Sequence, residues 1–237
     1  MELSIIIPAY NEEHRIGATL KRILDYFQDK RKSFEILVVD DGSIDHTKEV
    51  VNFFLEHYPN QVKLLSNPQN RGKGYSIKKG VEAAGGDIIL FSDADLSTPI
   101  EEIEKLLPYL EKDYDIAIGS RALPGSEIVV HQPWYRESMG KFFNLLVQAL
   151  VFPGIKDTQC GFKAYRSPVA KKLFARSTID GFSFDVEILY LARKARYRVK
   201  EVPICWLNSP QSRVHPLRDS ARMFGELWKI RRRHNKE

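Results

Sequence analysis

The chain has 237 residues, of which 43% are hydrophobic and 28% charged, with two cysteines and a formal net charge of +5. This is the composition of an ordinary globular protein, long enough for one large α/β domain with a sizeable core, and it excludes collagen-like, disordered and disulfide-scaffold classes. The charge is unevenly divided: residues 1–120 carry 14 basic and 21 acidic side chains, a net of −7, and residues 121–237 carry 22 and 10, a net of +12. A basic second half points to an anionic partner such as phosphate groups, a membrane surface or nucleic acid; a solvated basic face is the plainer alternative.

Leu3-Ser4-Ile5-Ile6-Ile7-Pro8 is a β-branched run stopped by proline and reads as a buried strand. A helix is expected from about Glu13 to Asp29, because Ile16, Leu20, Ile23, Leu24 and Phe27 share one face. Phe34 to Val39 is a second strand ending in Asp40-Asp41-Gly42-Ser43, with Asp45 as expected N-cap of a helix through Tyr58. Val62 to Leu65 is a third strand, and Asn70-Arg71-Gly72-Lys73-Gly74 opens the next helix. Asp87 to Phe91 reads as a strand buried on both faces, a helix follows from Pro99 to about Lys112, and Asp115 to Gly119 makes a fifth strand. Strands alternating with helices argue for a largely parallel sheet, hence a single α/β domain over 1–237 with a ligand-binding first half, 1–120.

Periodicity weakens after Arg121. Ala122 to Pro133 holds two prolines and a glycine and reads as a mobile loop. A helix is expected over Tyr135 to Phe152, a short strand at Lys163 to Tyr165, helices at Pro168 to Ala175 and Asp185 to Ala195, one strand from Tyr197 to Trp206, and a closing helix from about Pro216 that ends in Arg231-Arg232-Arg233. Cys160 and Cys205 form no metal-spaced pair, which suits a reducing compartment. Leu3 to Ala9 is too short for a signal peptide, and no run reaches the roughly 20 apolar residues of a membrane span.

Phe91-Ser92-Asp93-Ala94-Asp95 organises the first half. Two acids one residue apart at the carboxyl end of a buried strand stand where open α/β sheets bind ligands. They repel unless a cation joins them, and Mg²⁺ or Mn²⁺ held by two acids keeps positions open for substrate phosphates; capping of the next helix is the competing reading. Tyr10 to Glu12 and Asp40-Asp41 bring further polar groups to the same edge, where carboxylates can accept hydrogen bonds from a base N–H or ribose hydroxyls. Arg71 and Lys73 add positive charge at a helix start. There is no Gly-x-Gly-x-x-Gly and no Gly-Lys-Ser/Thr, so nicotinamide dehydrogenases and phosphate-loop ATPases fit poorly.

These four motifs, in this order and spacing, resemble glycosyltransferase family 2. The resemblance implies a Rossmann-like glycosyltransferase A-type fold, with Pro8, Tyr10, Glu12, Asp40 and Lys73 serving the nucleotide beside Asp41, and with Asp93 and Asp95 holding the metal. In the second half, Gly119-Ser120-Arg121, Arg136 near Ser138, Ile155 to Lys163 and Phe184 to Leu189 are similar to the polyprenyl-phosphate sugar synthases of that family, the dolichyl-phosphate glucosyltransferases above all. This implies transfer of a hexose from a nucleotide sugar, best UDP-glucose, to a polyprenyl phosphate with inversion. GDP-mannose is the second choice of donor, disfavoured by Ser97 where mannose synthases carry glutamine.

A phosphate monoester is already anionic near neutral pH and needs positioning rather than a strong base. Arg121 and Arg136 are candidates to pair its oxygens, and Arg213 to compensate the leaving diphosphate. A hydroxyl acceptor would need a base, for which Asp185 or Glu187 is the candidate, and Glu187 is alternatively a structural helix residue. Lipid access is expected through peripheral contact with an anionic membrane on its cytoplasmic face, using Phe142 to Phe152 and the terminal arginines, with or without a separate membrane partner. The rivals are a family 2 transferase acting on a saccharide or protein hydroxyl, and a non-catalytic nucleotide-sugar or RNA-binding module. Acidic motifs at the site would repel an RNA backbone, so no nucleic-acid partner is expected.

Overall fold

The structure, a computed structural model, describes residues 1–30, 32–130, 133–208 and 216–234, without the side chains of 135, 136, 216–222 and 224. Its centre is a seven-stranded sheet built from β1 (Leu3–Ala9), β2 (Phe34–Asp40), β3 (Val62–Ser66), β4 (Ile88–Ser92), β5 (Ile116–Ser120), β7 (Phe162–Arg166) and β8 (Val199–Pro203), in the order β3-β2-β1-β4-β7-β5-β8. All neighbours are parallel except β7, which runs antiparallel between β4 and β5.

The apolar runs become strands because both faces of the sheet are covered, so successive residues are buried on opposite sides. Ile6, Leu37, Val39, Phe91 and Ile118 face a core completed by α3 (Lys73–Ala83), α5 (Trp134–Leu150), α6 (Ser167–Arg176), α7 (Phe184–Lys194) and α8 (Pro216–His234). Ile5, Ile7, Ile36, Val38 and Leu90 face a second core with α1 (Ile16–Gln28), α2 (Thr47–His57) and α4 (Ile103–Glu111). The chain runs outward from β1 through β2 to β3, then returns to the other side of β1 for β4. The direction therefore reverses between β1 and β4, the switch point at which such sheets open a crevice.

Three expectations are corrected. Part of the loop expected over 122–133 is a strand, β6 (Glu127–Val130), paired with β9 (Cys205–Leu207) in a separate two-stranded ribbon. The strand expected over 197–206 is consequently two, β8 in the main sheet and β9 in the ribbon, parted at Ile204. Asp45 does not occupy the N-cap of α2, which is His46; its carboxylate instead accepts hydrogen bonds from the N–H and hydroxyl of Thr47, at 3.0 and 2.5 Å, and from the Glu13 N–H. The apolar stretch of α5 divides in two: Phe143, Val147 and the following Phe152 are buried, whereas Phe142 and Leu145 remain 62% exposed. Among the described residues no helix is long and apolar enough to cross a membrane.

At the edge opposite the switch-point crevice a buried polar pin ties four segments. Glu35, 1% exposed, accepts hydrogen bonds from the Ser4 hydroxyl at 2.6 Å, the Gly85 N–H at 2.8 Å and the Lys63 ammonium at 2.7 Å. Burial pushes the Glu35 carboxyl upward, but these donors outweigh it and hold the pKa below its ordinary value. A depressed folded-state pKa contributes stability above the unfolded value that is lost as pH falls through the folded one. Glu35→Gln is therefore expected to lower stability by about 1–3 kcal/mol at neutral pH. In urea titrations the gap to the wild type should close on the acid side, and a pH-independent gap would contradict the pin.

Candidate active site

The carboxyl ends of β2, β1 and β4 lie side by side, and their polar residues gather at one edge as expected. At the β1 end, Pro8 is half-buried in the strand, Tyr10 is 37% exposed, and Asn11 takes a left-handed φ of 54°. Asn11 stitches β1 to β2, since its N–H donates to the Ser43 hydroxyl and its side-chain oxygen accepts from the Ile44 N–H, both at 2.9 Å. Glu12 is buried and gripped by Arg15, whose Nε and Nη2 each lie 2.6 Å from a carboxylate oxygen. Nη1 of the same guanidinium lies 3.6 Å from Asp95, so Arg15 links the β1 and β4 acids.

The two acids ending β2 behave differently. Asp40 is fully buried, with its carboxylate 3.2 Å from the N–H groups of Gly42 and Ser43 and 3.4 Å from the Lys48 ammonium. Asp41 accepts from the Arg71 and Gly72 N–H groups at 3.0 and 2.8 Å and from the Asn67 amide at 2.7 Å. That set of donors makes Asp41 the anchor of the 70–72 turn.

Asp93 and Asp95 keep more freedom. Lys73 reaches from the first turn of α3 to place its ammonium 2.5 Å from Asp93, whose side chain remains 38% exposed. Burial pulls the Lys73 pKa down, but the charges of Asp93, Asp185 and Asp95 outweigh it and raise it, so the ammonium stays protonated. Asp95, 20% exposed at its side chain, accepts from the Ser97 N–H at 3.0 Å, and the intervening Leu96 has a left-handed φ of 45°. Two partly exposed carboxylates with oxygen-only chemistry fit a hard divalent cation whose remaining positions are filled by phosphate oxygens and water. Among the described residues no third acid, histidine or cysteine joins them, so an all-protein cage is not what the site offers.

The inserted strand β7 brings the second half to this edge. Phe162 pairs with Ser92 and Lys163 with Phe91, so the residues before β7 lie against the β4 end. A Cβ built on Gly161 would stand 1.9 Å from an Asp93 carboxylate oxygen, so any larger residue there has to push the Asp93 side chain aside. Lys163 is fully buried, donating to the Cys160 carbonyl at 2.7 Å and to Asp185 at 2.5 Å. Burial raises the Asp185 pKa against the opposing pull of Lys163 and Lys73. Cys160 is packed rather than reactive: burial pushes its thiol up to about 12.

Arg121 reaches the same region and is claimed by Asp157. Its Nε and Nη2 lie 2.7 and 2.8 Å from the two carboxylate oxygens, its backbone N–H donates to the same group, and the guanidinium carbon lies 5.3 Å from the Trp206 ring centre. The two-pronged edge expected to grip a phosphate is thus occupied by Asp157. Among the described residues Nη1 makes no hydrogen bond and is the edge that remains, on a side chain 30% exposed.

Glu187 is corrected outright as a candidate base: it is fully buried and accepts from the Thr178 N–H and hydroxyl and the Ile179 N–H, with His234 Nε2 2.8 Å away. Asp185, two residues earlier, is the acid that faces the site's cations. Arg136 belongs to the first turn of α5, but its side chain lies outside the described residues, as does Arg213 entirely.

Sequence reasoning passed over Arg15, Gly161 and the buried role of Lys163. The first was signalled by its spacing of three from Glu12, and the last by a lysine set between Phe162 and Ala164 in a short strand. Nothing local marks the Gly161 contact.

The model of the family described as Glycosyl transferase family 2 matches residues 4–174. The chain belongs to glycosyl transferase family 2. Within that family it is 37% identical over 243 residues to the dolichyl-phosphate beta-glucosyltransferase of Dictyostelium discoideum, covering 98% of this chain and 74% of the relative. It is 33% identical over 245 residues to the Homo sapiens protein of the same name, with 98% and 76% covered. Among solved structures it resembles the glucosyl-3-phosphoglycerate synthase of Mycobacterium tuberculosis, crystallised with Mn²⁺, UDP and glucosyl-3-phosphoglycerate. The TM-score is 0.71 at 19% identity, with 97% of this chain and 78% of that one covered. A second structure of that synthase holds Mg²⁺ and UDP, at TM-score 0.70 and 18% identity, with 97% and 77% covered. At these identities the likeness establishes the fold, which is the glycosyltransferase A type.

The contact at Gly161 generates a sharp expectation. Gly161→Ala should displace the Asp93 carboxylate from Lys73 and cut turnover at least about tenfold, the loss of one charge-assisted contact. Its melting temperature by circular dichroism should stay near that of the wild type, because the clash is with a half-exposed side chain. Undiminished turnover would show that Asp93 need not stand where it does.

Proposed function

We propose that the protein transfers glucose from UDP-glucose to a polyprenyl phosphate of the dolichyl type, inverting the anomeric carbon. The observation that carries this reading is nearly full-length similarity to dolichyl-phosphate glucosyltransferases in a chain whose switch-point edge assembles Asp93, Asp95, Lys73 and Arg15. In this reading residues 1–120 serve the donor and 121–237 the acceptor, within one domain.

Asp93 and Asp95 would hold Mg²⁺ or Mn²⁺, which when bound offsets the charge of the leaving diphosphate. Lys73 supplies a fixed cation beside them, its ammonium 2.5 Å from Asp93. Asp40, Glu12, Pro8 and Tyr10 form the wall against which the nucleoside lies, and Arg213 is the further cation for the diphosphate.

The acceptor is a phosphate monoester whose second pKa is about 6, so one of its oxygens is already a competent nucleophile. That oxygen forms the new bond to C1 of glucose as the bond from C1 to the diphosphate oxygen breaks, and no proton has to move. What the chain must supply is alignment and charge. Arg121, stiffened by Asp157 and Trp206, offers its remaining Nη1 to the acceptor phosphate. Arg136 is the second arginine for that group.

A lipid-borne acceptor calls for contact with a bilayer surface. Phe142 and Leu145 are exposed on α5, and Trp228, 70% exposed, lies on α8, which packs against α5; with the exposed Lys141, Arg231 and Arg232 of the same two helices they supply apolar and cationic groups suited to anionic headgroups. The face concerned is the cytoplasmic one in this reading.

The deciding experiment is a donor panel incubated with polyprenyl phosphate and Mn²⁺, scored for glycolipid and released nucleotide. UDP-glucose should be used best, and Asp95→Ala or excess chelator should abolish transfer. Arg121→Gln should raise the acceptor KM about tenfold or more, the usual worth of one charge-assisted bond, and leave the donor KM nearly unchanged. Transfer to free sugars in preference to the lipid phosphate would refute the acceptor, and full activity in chelator the metal.

Membrane contact has its own readout. Sedimentation with phosphatidylglycerol-containing vesicles should be lost in Phe142→Ser/Leu145→Ser and weakened by salt. Equal sedimentation of variant and wild type would remove this face from the account.

A further inference from the structure

The base role expected of Glu187 fails, and the contacts that exclude it point elsewhere. Glu187 sits in the first turn of α7 with no exposed surface, and its carboxylate organises the segment just before that helix. One oxygen accepts from the Thr178 and Ile179 N–H groups, each at 2.9 Å, and the other from the Thr178 hydroxyl at 2.8 Å. His234, 2% exposed in the last turn of α8, brings Nε2 to 2.8 Å from the second oxygen. One further bond fastens the end of α8 to the same segment, Arg233 donating to the Thr178 hydroxyl at 2.9 Å, and Lys194 at the far end of α7 donates to the His234 carbonyl.

The far side of this segment meets the donor edge. The Asp180 carbonyl accepts from the Gly74 and Tyr75 N–H groups at 2.8 and 3.2 Å, satisfying donors in the first turn of α3 that no helical partner can satisfy. The approach leaves no slack. A Cβ on Gly72, whose φ is 111°, would stand 2.4 Å from the Asp180 oxygen, and one on Gly74 would stand 2.5 Å from the Ile179 oxygen. Lys73 lies between these two glycines and sends its ammonium to Asp93.

We infer that the end of α8 is a clamp for the donor subsite, with His234 and Glu187 as positioning residues for Lys73. Residues 178–180 form a strap held by Glu187 on one side and seated against the start of α3 on the other. A strap shifted by even a fraction of an ångström carries the Gly72–Gly74 backbone with it, because close-packed backbone cannot absorb the displacement. The ammonium of Lys73 then leaves its station beside Asp93. His234 and Glu187 touch no substrate and act through this one lysine. The inference rests on the reading of Lys73 as a donor-side group.

The test measures UDP affinity in the presence of Mn²⁺ by calorimetry, together with KM for each substrate and kcat, in the full chain. Loss of one bond to a buried carboxylate predicts that His234→Leu weakens UDP binding and raises the donor KM about fivefold to tenfold. The acceptor KM and the melting temperature should stay near wild-type values, whereas kcat should fall along with the Lys73–Asp93 contact. His234→Gln, whose amide can still donate to Glu187, should recover most of the loss. Arg233→Gln, altered at an exposed arm where folding is not at stake, should shift UDP affinity in the same direction by a smaller factor.

Wild-type UDP affinity in His234→Leu, alongside weakened binding in a Lys73→Met control, overturns the clamp while leaving the donor site standing. A proportional decline of kcat, both KM values and melting temperature, without rescue by glutamine, reduces His234 to a stability residue and overturns it equally. Unchanged UDP binding in Lys73→Met refutes the donor reading and the clamp with it. Absent lipid-phosphate transfer with the UDP pattern intact would count against the proposed acceptor alone.

Discussion

Five carboxylates crowd one edge of the sheet, and the arrangement of everything near them follows from the need to balance that charge. For like charges in general, a pair about 4–6 Å apart at an effective dielectric near 20 costs about 3–4 kcal/mol if left uncompensated. Glu12 is met by Arg15, Asp41 by two backbone N–H groups and the Asn67 amide, and Asp40 by two N–H groups and Lys48. Asp93 has Lys73, and Asp95 has the Ser97 N–H with Arg15 at longer range. The compensation is graded. The acids nearest β2 are largely satisfied by fixed partners, whereas the two after β4 keep exposed oxygens and one close donor each. Negative potential is therefore concentrated where a mobile cation and the phosphates it accompanies can enter.

The elements that were legible in the sequence are those whose signal is local. A strand covered on both faces needs an uninterrupted apolar run, and the runs at 3–9, 34–40 and 88–92 end where polar residues begin. A parallel arrangement then places those ends on one edge, so Tyr10, Asp40 and Asp93 could be grouped without knowing the strand order. The ribbon of β6 and β9 was not legible, because each strand is short, half-exposed and paired with a segment some 75 residues away. The insertion of β7 between β4 and β5 is equally non-local, yet it decides the site by carrying Gly161 to Asp93 and Lys163 beneath it.

The individual acids show where residue type stops being informative. Asp40 and Asp41 are adjacent and chemically identical, and they differ in role because one points along the strand end and the other toward the 70–72 turn. Asp185 and Glu187 lie on the same first turn of α7. The helical step between them sends one toward Lys163 and Lys73 and the other toward the strap at 178–180. A two-residue spacing on a helix separates side chains by about 200°, so neighbouring acids there are more often on opposite faces than on one.

The second half shows how a large positive charge is divided between structure and surface. Lys163 and Arg121 each lie against an acid in or under the site, and their carboxylate partners fix them so firmly that little further freezing is required when a ligand arrives. Buried pairs of this kind contribute little net stability, since desolvation consumes most of the Coulombic gain. Their value is geometric. Arg231 and Arg232 are exposed, and Arg231 is held to the Leu150 carbonyl at 3.2 Å rather than by a carboxylate. The same residue type is thus held in two ways, and what separates them is whether a carboxylate lies within reach.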